Sequence, residues 1–328
     1  MSEAVLPRPA RASELAFGPL SFGGANLGNL FRVMSDEDAN ALLEVAWESG
    51  IRSFDTAPHY GMGLSERRLG AFLATKPRDE FILSTKVGRL LVDNPRGGGG
   101  SDDENGFAVP DDRKRVWDFS ADGVRRSLDD SLIRLGLDRV DVLYLHDPEE
   151  FDLEPAVADG VPAVAALRDE GLVRAVGIGS KSVAALLAGV RTEALDLLMI
   201  AGRYTLLEQP ALEEVIPEAA ERGIGIVNAA VFNSGLLAQS APDPSAHYEY
   251  GAVPSAVLER ARAIAAECTA HGVELPAAAL QYTLRDQAVR TVVVGAASAA
   301  QLEQTVGRMH SAIPEVLWTD LRDRELIP

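Results

Sequence analysis

Eight short runs rich in β-branched and aromatic residues, each followed by a longer amphipathic run, predict an α/β chain of the (β/α)8 TIM-barrel class with long loops on the C-terminal face. Two further observations favour the barrel over an open, doubly wound sheet. A glycine-rich dinucleotide loop is missing after the first strand. GGANLGN (23–29) lacks the G-x-G-x-x-G spacing, and GMGLSE (61–66) follows no strand directly and has Glu66 where the third glycine belongs. Polar, titratable residues also fall at the C-terminal ends of several predicted strands, which is where a barrel carries its chemistry.

The elements follow in order. PLSFGG (19–24) reads as the first strand. SDEDANALLEVAWES (35–49) is a helix with Leu42, Leu43, Ala46 and Trp47 on one side, and Gly50 ends it as a left-handed cap. A strand at 52–56, a helix at 65–74 and a strand at 81–87 come next. The helix at 121–135 carries Val124, Leu128, Leu132 and Leu135 at helical spacing, and VDVLYLH (140–146) is a buried strand. The alternation continues through helix 161–170, strand 173–178, helix 182–189, strand 195–200, helix 210–221 and strand 224–231. Helices 254–270 and 276–286, strand 290–294 and helix 298–309 complete it, and the whole chain, 1–328, reads as one domain.

Composition narrows the function. With 328 residues, 47% of them hydrophobic and 24% charged, the chain buries a core without metal or disulfide staples. Its single cysteine, Cys268, makes no internal disulfide and suits a reducing compartment. Lys and Arg number 31 against 49 Asp and Glu, a net charge of −18, which argues against nucleic-acid or anionic-membrane partners. No apolar run has the roughly eighteen residues of a membrane span, and MSEAVLPRPARAS lacks the apolar core of a secretory signal. A cytoplasmic protein is expected. No H-x-H follows a strand, and H-E-x-x-H, a cysteine cluster, a P-loop and G-x-S-x-G are all missing, so no metal is expected and hydrolase or nucleotide-phosphate motifs are excluded.

Two segments interrupt the pattern. Residues 93–119 form a Gly/Asp-rich stretch with four consecutive glycines and are expected to be a flexible loop, and 238–253 follows the seventh strand. In a barrel both lie on the substrate face, and their aromatics, Phe107 and Trp117 in one, Tyr248 and Tyr250 in the other, suit contacts to a sugar or another ring.

Four residues at the strand ends make chemical sense together. Asp55 ends the second strand, Tyr60 follows it in APHYG, Lys86 is near the end of the third, and His146 ends the fourth. A phenol titrates near ~10, and a neighbouring ammonium is expected to lower that value. A carboxylate holds the ammonium charged and in place, and a histidine orients a substrate oxygen or relays its proton. Such a group manages the proton that accompanies hydride transfer at a carbonyl, for which a nicotinamide is needed.

The chain resembles the aldo-keto reductase family over nearly its whole length. FDTAPHYG (54–61), STKVGR (84–89), LYLHDP (143–148), EGLVRAVGIGS (170–180), AGRYTLLEQ (201–209), FNSGLLA (232–238) and VVVGAASAAQLEQ (292–304) occur in family order, one per strand–helix junction. The resemblance implies that Tyr60 donates or accepts the proton, that Lys86 and Asp55 tune it, and that His146 orients the substrate. It also implies NAD(P) bound on the C-terminal face without a Rossmann domain. Gly24 and Ala25 of the first loop, Asp55, Ser180, and Phe232, Asn233, Ser234 and Leu236 of the pyrophosphate loop are the implied cofactor contacts. Gly295, Ser298, Gln301 and Gln304 of the last strand–helix junction join them, and Trp117 with Tyr60 and His146 is the implied substrate contact. Four positions depart from the family pattern. Gly179-Ser180 replaces a Ser-Asn pair on the nicotinamide amide, Ala201 a glutamine, Ala229 the aromatic that stacks on the ring, and Gln304-Thr305 a Glu-Asn pair near the adenine.

The segment GAASAAQ (295–301) offers no cation for a 2′-phosphate, only Ser298 and Gln301, so NAD is expected as coenzyme with NADP left open. FGGANLGNLF, WDFS, LHDP and GRYTLLEQPAL look most like the aldose 1-dehydrogenase branch, which oxidises the anomeric hydroxyl of L-fucose-, D-arabinose- or L-galactose-type sugars to the lactone. Pyridoxal dehydrogenases of the same branch run equivalent chemistry on a cyclic hemiacetal. A general aldehyde or ketone reductase, or a nicotinamide-binding sensor or partner subunit, stays open as an alternative. The oligomeric state is not read from the sequence.

Overall fold

The computed structural model describes residues 15–249 and 251–328. The amino-terminal segment and the rim aromatic Tyr250 lie outside the described residues. In chain order the elements are β1 (Leu20–Gly23), α1 (Asp36–Glu48), β2 (Ser53–Asp55), α2 (Leu64–Leu73), β3 (Ile82–Val87), β4 (Arg89–Asp93), β5 (Ser101–Asp102), β6 (Phe107–Pro110) and β7 (Arg113–Trp117). They continue with α3 (Ala121–Leu135), β8 (Val142–His146), α4 (Leu153–Asp169), β9 (Ala175–Ser180), α5 (Val183–Val190), β10 (Leu197–Ala201), α6 (Val215–Glu221) and β11 (Gly225–Ala229). The last are β12 (His247–Tyr248), β13 (Gly251–Ala252), α7 (Ser255–Ala270), α8 (Leu275–Tyr282), β14 (Val289–Val294), α9 (Ala299–Met309) and α10 (Glu315–Asp323).

Eight parallel strands close into a barrel in the order β1–β2–β3–β8–β9–β10–β11–β14, with β14 paired back to β1. The strands are apolar on both faces because helices cover the outside and side chains fill the inside. Ile82, Val142, Tyr144, Leu197, Met199 and Val293 belong to the inward-facing cluster, while Leu42, Leu43, Leu128, Val164 and Leu198 belong to the larger one that joins helices to sheet. The helix ends follow the expected chemistry. Ser35 Oγ accepts from the Asp38 amide at 3.0 Å to start α1, and Ser120 Oγ accepts from the Gly123 amide at 3.1 Å to start α3. Gly136, with φ 64°, closes α3 in the left-handed region.

Several boundaries differ from the sequence expectation. The fourth helix starts at Leu153, not 161, and Pro162 lies inside it, whereas the sequence reading took that region as the start. The fifth strand runs two residues later than expected, which brings Gly179 and Ser180 into the sheet. The seventh stops at Ala229 because Ala230 turns to φ 56°. The expected helices at 210–221 and 276–286 each combine a short 3-10 turn with a shorter α-helix, and α10 was not anticipated.

Residues 93–119 are not a flexible loop. β4 and β7 pair antiparallel from Arg89↔Trp117 to Asp93↔Arg113, β5 and β6 form a second ladder, and Leu30 bridges to Phe107. The glycine run is caught by the Asp111 carboxylate, which accepts from the amides of Gly98 at 2.7 Å and Gly100 at 3.1 Å. No helix among the described residues is long and apolar enough to cross a membrane.

The residue that broke the glycine motif has a structural task. Glu66 is fully buried; its Oε2 accepts from Arg134 Nε at 2.5 Å and its Oε1 from Thr85 Oγ1 at 2.8 Å, tying α2 to α3 and β3. Removing one partner of a buried pair strands the other charge. Glu66→Ala is therefore expected to lower unfolding free energy by about 3–5 kcal/mol in urea titrations, and a loss under 1 kcal/mol contradicts the assignment.

Candidate active site

β2, β3 and β8 are hydrogen-bonded neighbours, so parallel register brings their C-terminal ends, and with them Asp55, Lys86 and His146, to one side of the barrel mouth. Lys86 Nζ lies 2.5 Å from Asp55 Oδ2 and donates to the Thr56 carbonyl at 2.9 Å, while Ser84 Oγ donates to Asp55 Oδ1 at 2.7 Å. Both charges are buried, with Lys86 2% exposed. Burial alone pulls the Lys86 ammonium down, but the Asp55 carboxylate, and after it Tyr60, outweighs burial and holds it above its ordinary value. Lys86 stays charged.

Tyr60 is set by backbone packing. The β1–α1 loop runs directly against the Tyr60–Gly61 peptide: a Cβ on Gly28 would lie 2.6 Å from the Tyr60 carbonyl carbon, and one on Gly61 would lie 2.2 Å from the Gly28 carbonyl oxygen. The Tyr60 ring then sits with its centre 4.7 Å from Lys86 Nζ and 5.9 Å from the His146 ring, edge to face. The expected lowering of the phenol is not what the surroundings produce. Burial is the largest influence and raises Tyr60 above its ordinary value; Lys86 pulls it back and Asp55 pushes it up again. The phenol keeps its proton at neutral pH.

His146 is buried and held well below its ordinary value, by burial first and then by Arg89 and Lys86, so it is neutral. Its Nε2 lies 3.4 Å from Asp147 Oδ2, and that carboxylate also takes Arg89 Nη2 at 2.5 Å. Asp147 adopts φ 44°, a left-handed conformation uncommon outside glycine, and burial raises its pKa.

These groups face a chamber of about 330 Å³ whose walls also include Gly23, Gly24, Ala25, Ala201, Ala229 and Gly295. Glycine is required at Gly24, because a Cβ there would lie 2.8 Å from the Asp55 carbonyl oxygen, while one on Gly295 would crowd the Asn26 side chain at 3.0 Å. Bare backbone and methyl groups leave flat space beside Tyr60 for a planar ring, which fits a nicotinamide. Ser180 Oγ, in the same wall, donates to Glu149 Oε1 at 2.5 Å and accepts from the Ser182 amide at 2.8 Å, leaving one lone pair for a carboxamide NH2.

Of the sequence-predicted residues, Asp55, Tyr60, Lys86, His146, Gly24, Ala25, Ser180 and Gly295 meet in this chamber. Phe232, Asn233 and Ser234 lie in the loop after β11, and Ser298 caps α9, which carries Gln301 and Gln304 and follows β14, the strand hydrogen-bonded to β11, so the two groups adjoin each other outside the chamber. The Leu236 side chain is buried in the core, which leaves its backbone to meet a cofactor. Trp117 stacks on Phe119 and Phe151 beneath the Arg89 guanidinium and lines an adjoining outer basin of about 950 Å³. Tyr248 donates to Glu208 instead of lining either space, whereas Phe107 does wall the chamber. Glu267, His271 and Asp320 form one cluster of metal-ligand type among the described residues; Glu267 is paired with Arg324, and none of the three lines either space.

The residues that the sequence did not single out are His59, Arg89 and Asp147, each next to a motif residue or one position beyond a strand end. Arg32 is another. From the β1–α1 loop it donates to the Ala297 carbonyl, placing a cation beside the segment that holds none of its own. Chemically, the chamber offers a protonated phenol under a permanent ammonium and a neutral imidazole facing it, the equipment for moving one proton to or from a carbonyl-derived oxygen.

The profile of the Aldo/keto reductase family matches residues 19–323. The chain belongs to that family. It is 56% identical to D-threo-aldose 1-dehydrogenase of a Pseudomonas species over 97% of both chains. It is also 37% identical to pyridoxal 4-dehydrogenase of Microbacterium luteolum over 94% of both. The holo form of the aldo-keto reductase AKR11C1 from Bacillus halodurans shares the fold with a TM-score of 0.76 at 24% identity, covering 98% of this chain and 96% of that one.

The packing of Gly28 on Tyr60 carries its own test. Gly28→Ala forces the two loops apart, and a displacement near 1 Å at the phenol is expected to cost on the order of 10²-fold in kcat. Coenzyme affinity, read by fluorescence titration, should change far less. An unchanged kcat removes the loop contact from the positioning of Tyr60.

Proposed function

We propose that this protein is an NAD-preferring aldose 1-dehydrogenase that oxidises the anomeric hydroxyl of a free aldose to the lactone. The observation that carries the reading is the meeting of Tyr60, Lys86, Asp55 and His146 in one chamber beneath a polar basin; the 56% identity to D-threo-aldose 1-dehydrogenase supports the sugar as substrate class. The coenzyme, when bound, supplies the hydride acceptor. In our reading the C1 oxygen of the sugar lies between the Tyr60 hydroxyl and His146. As the C1–H bond gives up its hydride, the C1 hydroxyl proton passes to the Tyr60 oxygen and the C1–O bond becomes the lactone carbonyl. Lys86 stabilises the phenolate that accepts this proton, and Asp55 keeps Lys86 in place. In the opposite direction the same phenol donates.

The chain acts as a single barrel domain. Its lone cysteine is free and buried, which suits a reducing compartment, and we place the enzyme in the cytoplasm. NAD preference rests on the cation-free segment 295–301, with Arg32, beside that segment, favouring some NADP use.

The direct test is NADH formation with NAD⁺ and a panel of L-fucose, D-arabinose, L-galactose and pyridoxal. Oxidation of an aldose is expected; activity on pyridoxal alone replaces the substrate, and silence across the panel with strong aldehyde reduction overturns the reading. Tyr60→Phe is expected to lower kcat by about 10²–10⁴-fold while NAD⁺ binding stays nearly intact. Because oxidation needs the phenolate and burial raises Tyr60, wild-type oxidation should climb from neutral pH towards about 10. Carbonyl reduction should hold level over the same range, and a flat oxidation profile contradicts the role. For the coenzyme, kcat/KM is expected to favour NAD, and Arg32→Ala should lower kcat/KM with NADP several-fold more than with NAD. A large NADP preference in the wild type defeats the NAD assignment.

A further inference from the structure

His59 precedes Tyr60 in APHYG and, with Asn105, Asp147 and Lys181, walls both the chamber and the outer basin beside it. Its ring centre lies 5.6 Å from that of His146 and 6.1 Å from that of Tyr60, and the latter two are 5.9 Å apart. The three rings thus form a triangle of nearly equal sides at the chamber mouth. Two contacts fix His59. Arg115 Nη2 donates to its backbone carbonyl at 2.7 Å, and the edge of the Phe107 ring meets it at 5.3 Å and 90°. Arg115 is locked in turn by a bidentate pair with Asp102, at 2.8 and 2.6 Å.

The ring nevertheless has unmet hydrogen-bonding capacity. Nδ1 is buried with no partner, and no hydrogen bond to either ring nitrogen occurs among the described residues. Nδ1 is closed off by the packing around it, so the nitrogen left to meet a molecule in the chamber is Nε2, and an unpaired nitrogen at such a space marks a position completed by the substrate. Burial and the cations Arg89, Arg115 and Lys86 keep the imidazole neutral, down to about 2. Nε2 therefore offers one uncharged donor or acceptor at working pH, which suits a hydroxyl, able to take either role, better than an anion. In the proposed reaction Tyr60 and His146 take the reacting oxygen, which leaves the third corner of the triangle for a neighbouring oxygen of the substrate.

We infer that His59 is a specificity-determining residue that reads the hydroxyl on the carbon adjacent to the reacting one, so that the enzyme selects α-hydroxy carbonyl compounds and their cyclic hemiacetals. This rests on the oxidoreductase reading above, but not on the choice of an aldose as the natural substrate.

The test compares reduction of glyceraldehyde, which carries the adjacent hydroxyl, with reduction of propanal, which lacks it, using NADH. The wild type is expected to favour glyceraldehyde by roughly 10- to 100-fold in kcat/KM. His59→Phe keeps the ring against Phe107 but removes both nitrogens, and the ratio should collapse towards one. His59→Gln, which restores a donor and an acceptor, should recover part of it. NADH affinity by fluorescence titration checks that the variants are folded. A wild-type ratio near one, or a ratio that survives in His59→Phe, overturns the inference whatever the sugar panel shows. A ratio that collapses while no aldose is oxidised keeps the inference and removes the aldose reading. No turnover of either aldehyde overturns the inference and leaves the aldose reading to the sugar panel.

Discussion

The ion pair between Lys86 and Asp55 is the constraint around which the barrel mouth is organised. An ammonium that is 2% exposed carries a desolvation penalty of several kcal/mol, and it is tolerated only because its partners are fixed by the sheet itself. Asp55 and Ser84 face each other across the β2–β3 ladder. That single register supplies the carboxylate opposite Lys86 and the hydroxyl that satisfies the carboxylate's second oxygen. A one-residue slip would turn one of these side chains away and leave a buried charge alone. The position of Tyr60 over the ammonium follows from the same geometry, because the loop that carries it leaves directly from β2.

The electrostatics of the mouth run against those of the molecule. The chain has a net charge of −18, yet two histidines at the mouth are kept neutral, by burial first and then by Lys86, Arg89 and Arg115, which converge on them. These cations are not left open to attract an anionic ligand. Arg89 is matched by Asp147 and Arg115 by Asp102, each in a short ion pair. The cations are thus neutralised within the wall, with the Nε atoms of both arginines and Nδ1 of His59 closed off from the chamber, so the mouth is lined by neutral or paired groups rather than by free charge.

Much of this was legible in the sequence. The barrel strands read as buried β-branched runs, and the rule that a barrel's chemistry sits at the C-terminal strand ends located Asp55, Lys86 and His146 before any coordinates. Local signals failed where the decisive partner was distant. The excursion between β3 and α3 looked flexible because its middle is glycine, but its order comes from Asp111, thirteen residues beyond Gly98, and from the Arg115–Asp102 pair. The count of cations around the start of α9 missed Arg32 because β1 and β14 are neighbours only in the closed barrel. His59 stood in view beside Tyr60, but its significance depends on an unpaired nitrogen, which only packing reveals.

The direction in which Tyr60 is shifted bears on how one site serves two chemical directions. An ammonium beside a phenol in water lowers the phenol's pKa, and the sequence argument stopped there. In the chamber the same burial that strengthens the Lys86 charge on the phenolate also removes the water that would solvate it, and Asp55, needed to hold Lys86, repels the phenolate in addition. Lys86 therefore does not make Tyr60 acidic; it limits how far burial drives the value up. The resting site holds a proton ready to give, which suits carbonyl reduction, while alcohol oxidation begins by losing that proton. A balance of this kind leaves neither direction closed, so the direction of flux belongs to the substrates and the coenzyme supply, and what the fold contributes is a phenol whose proton can be moved either way under one fixed ion pair.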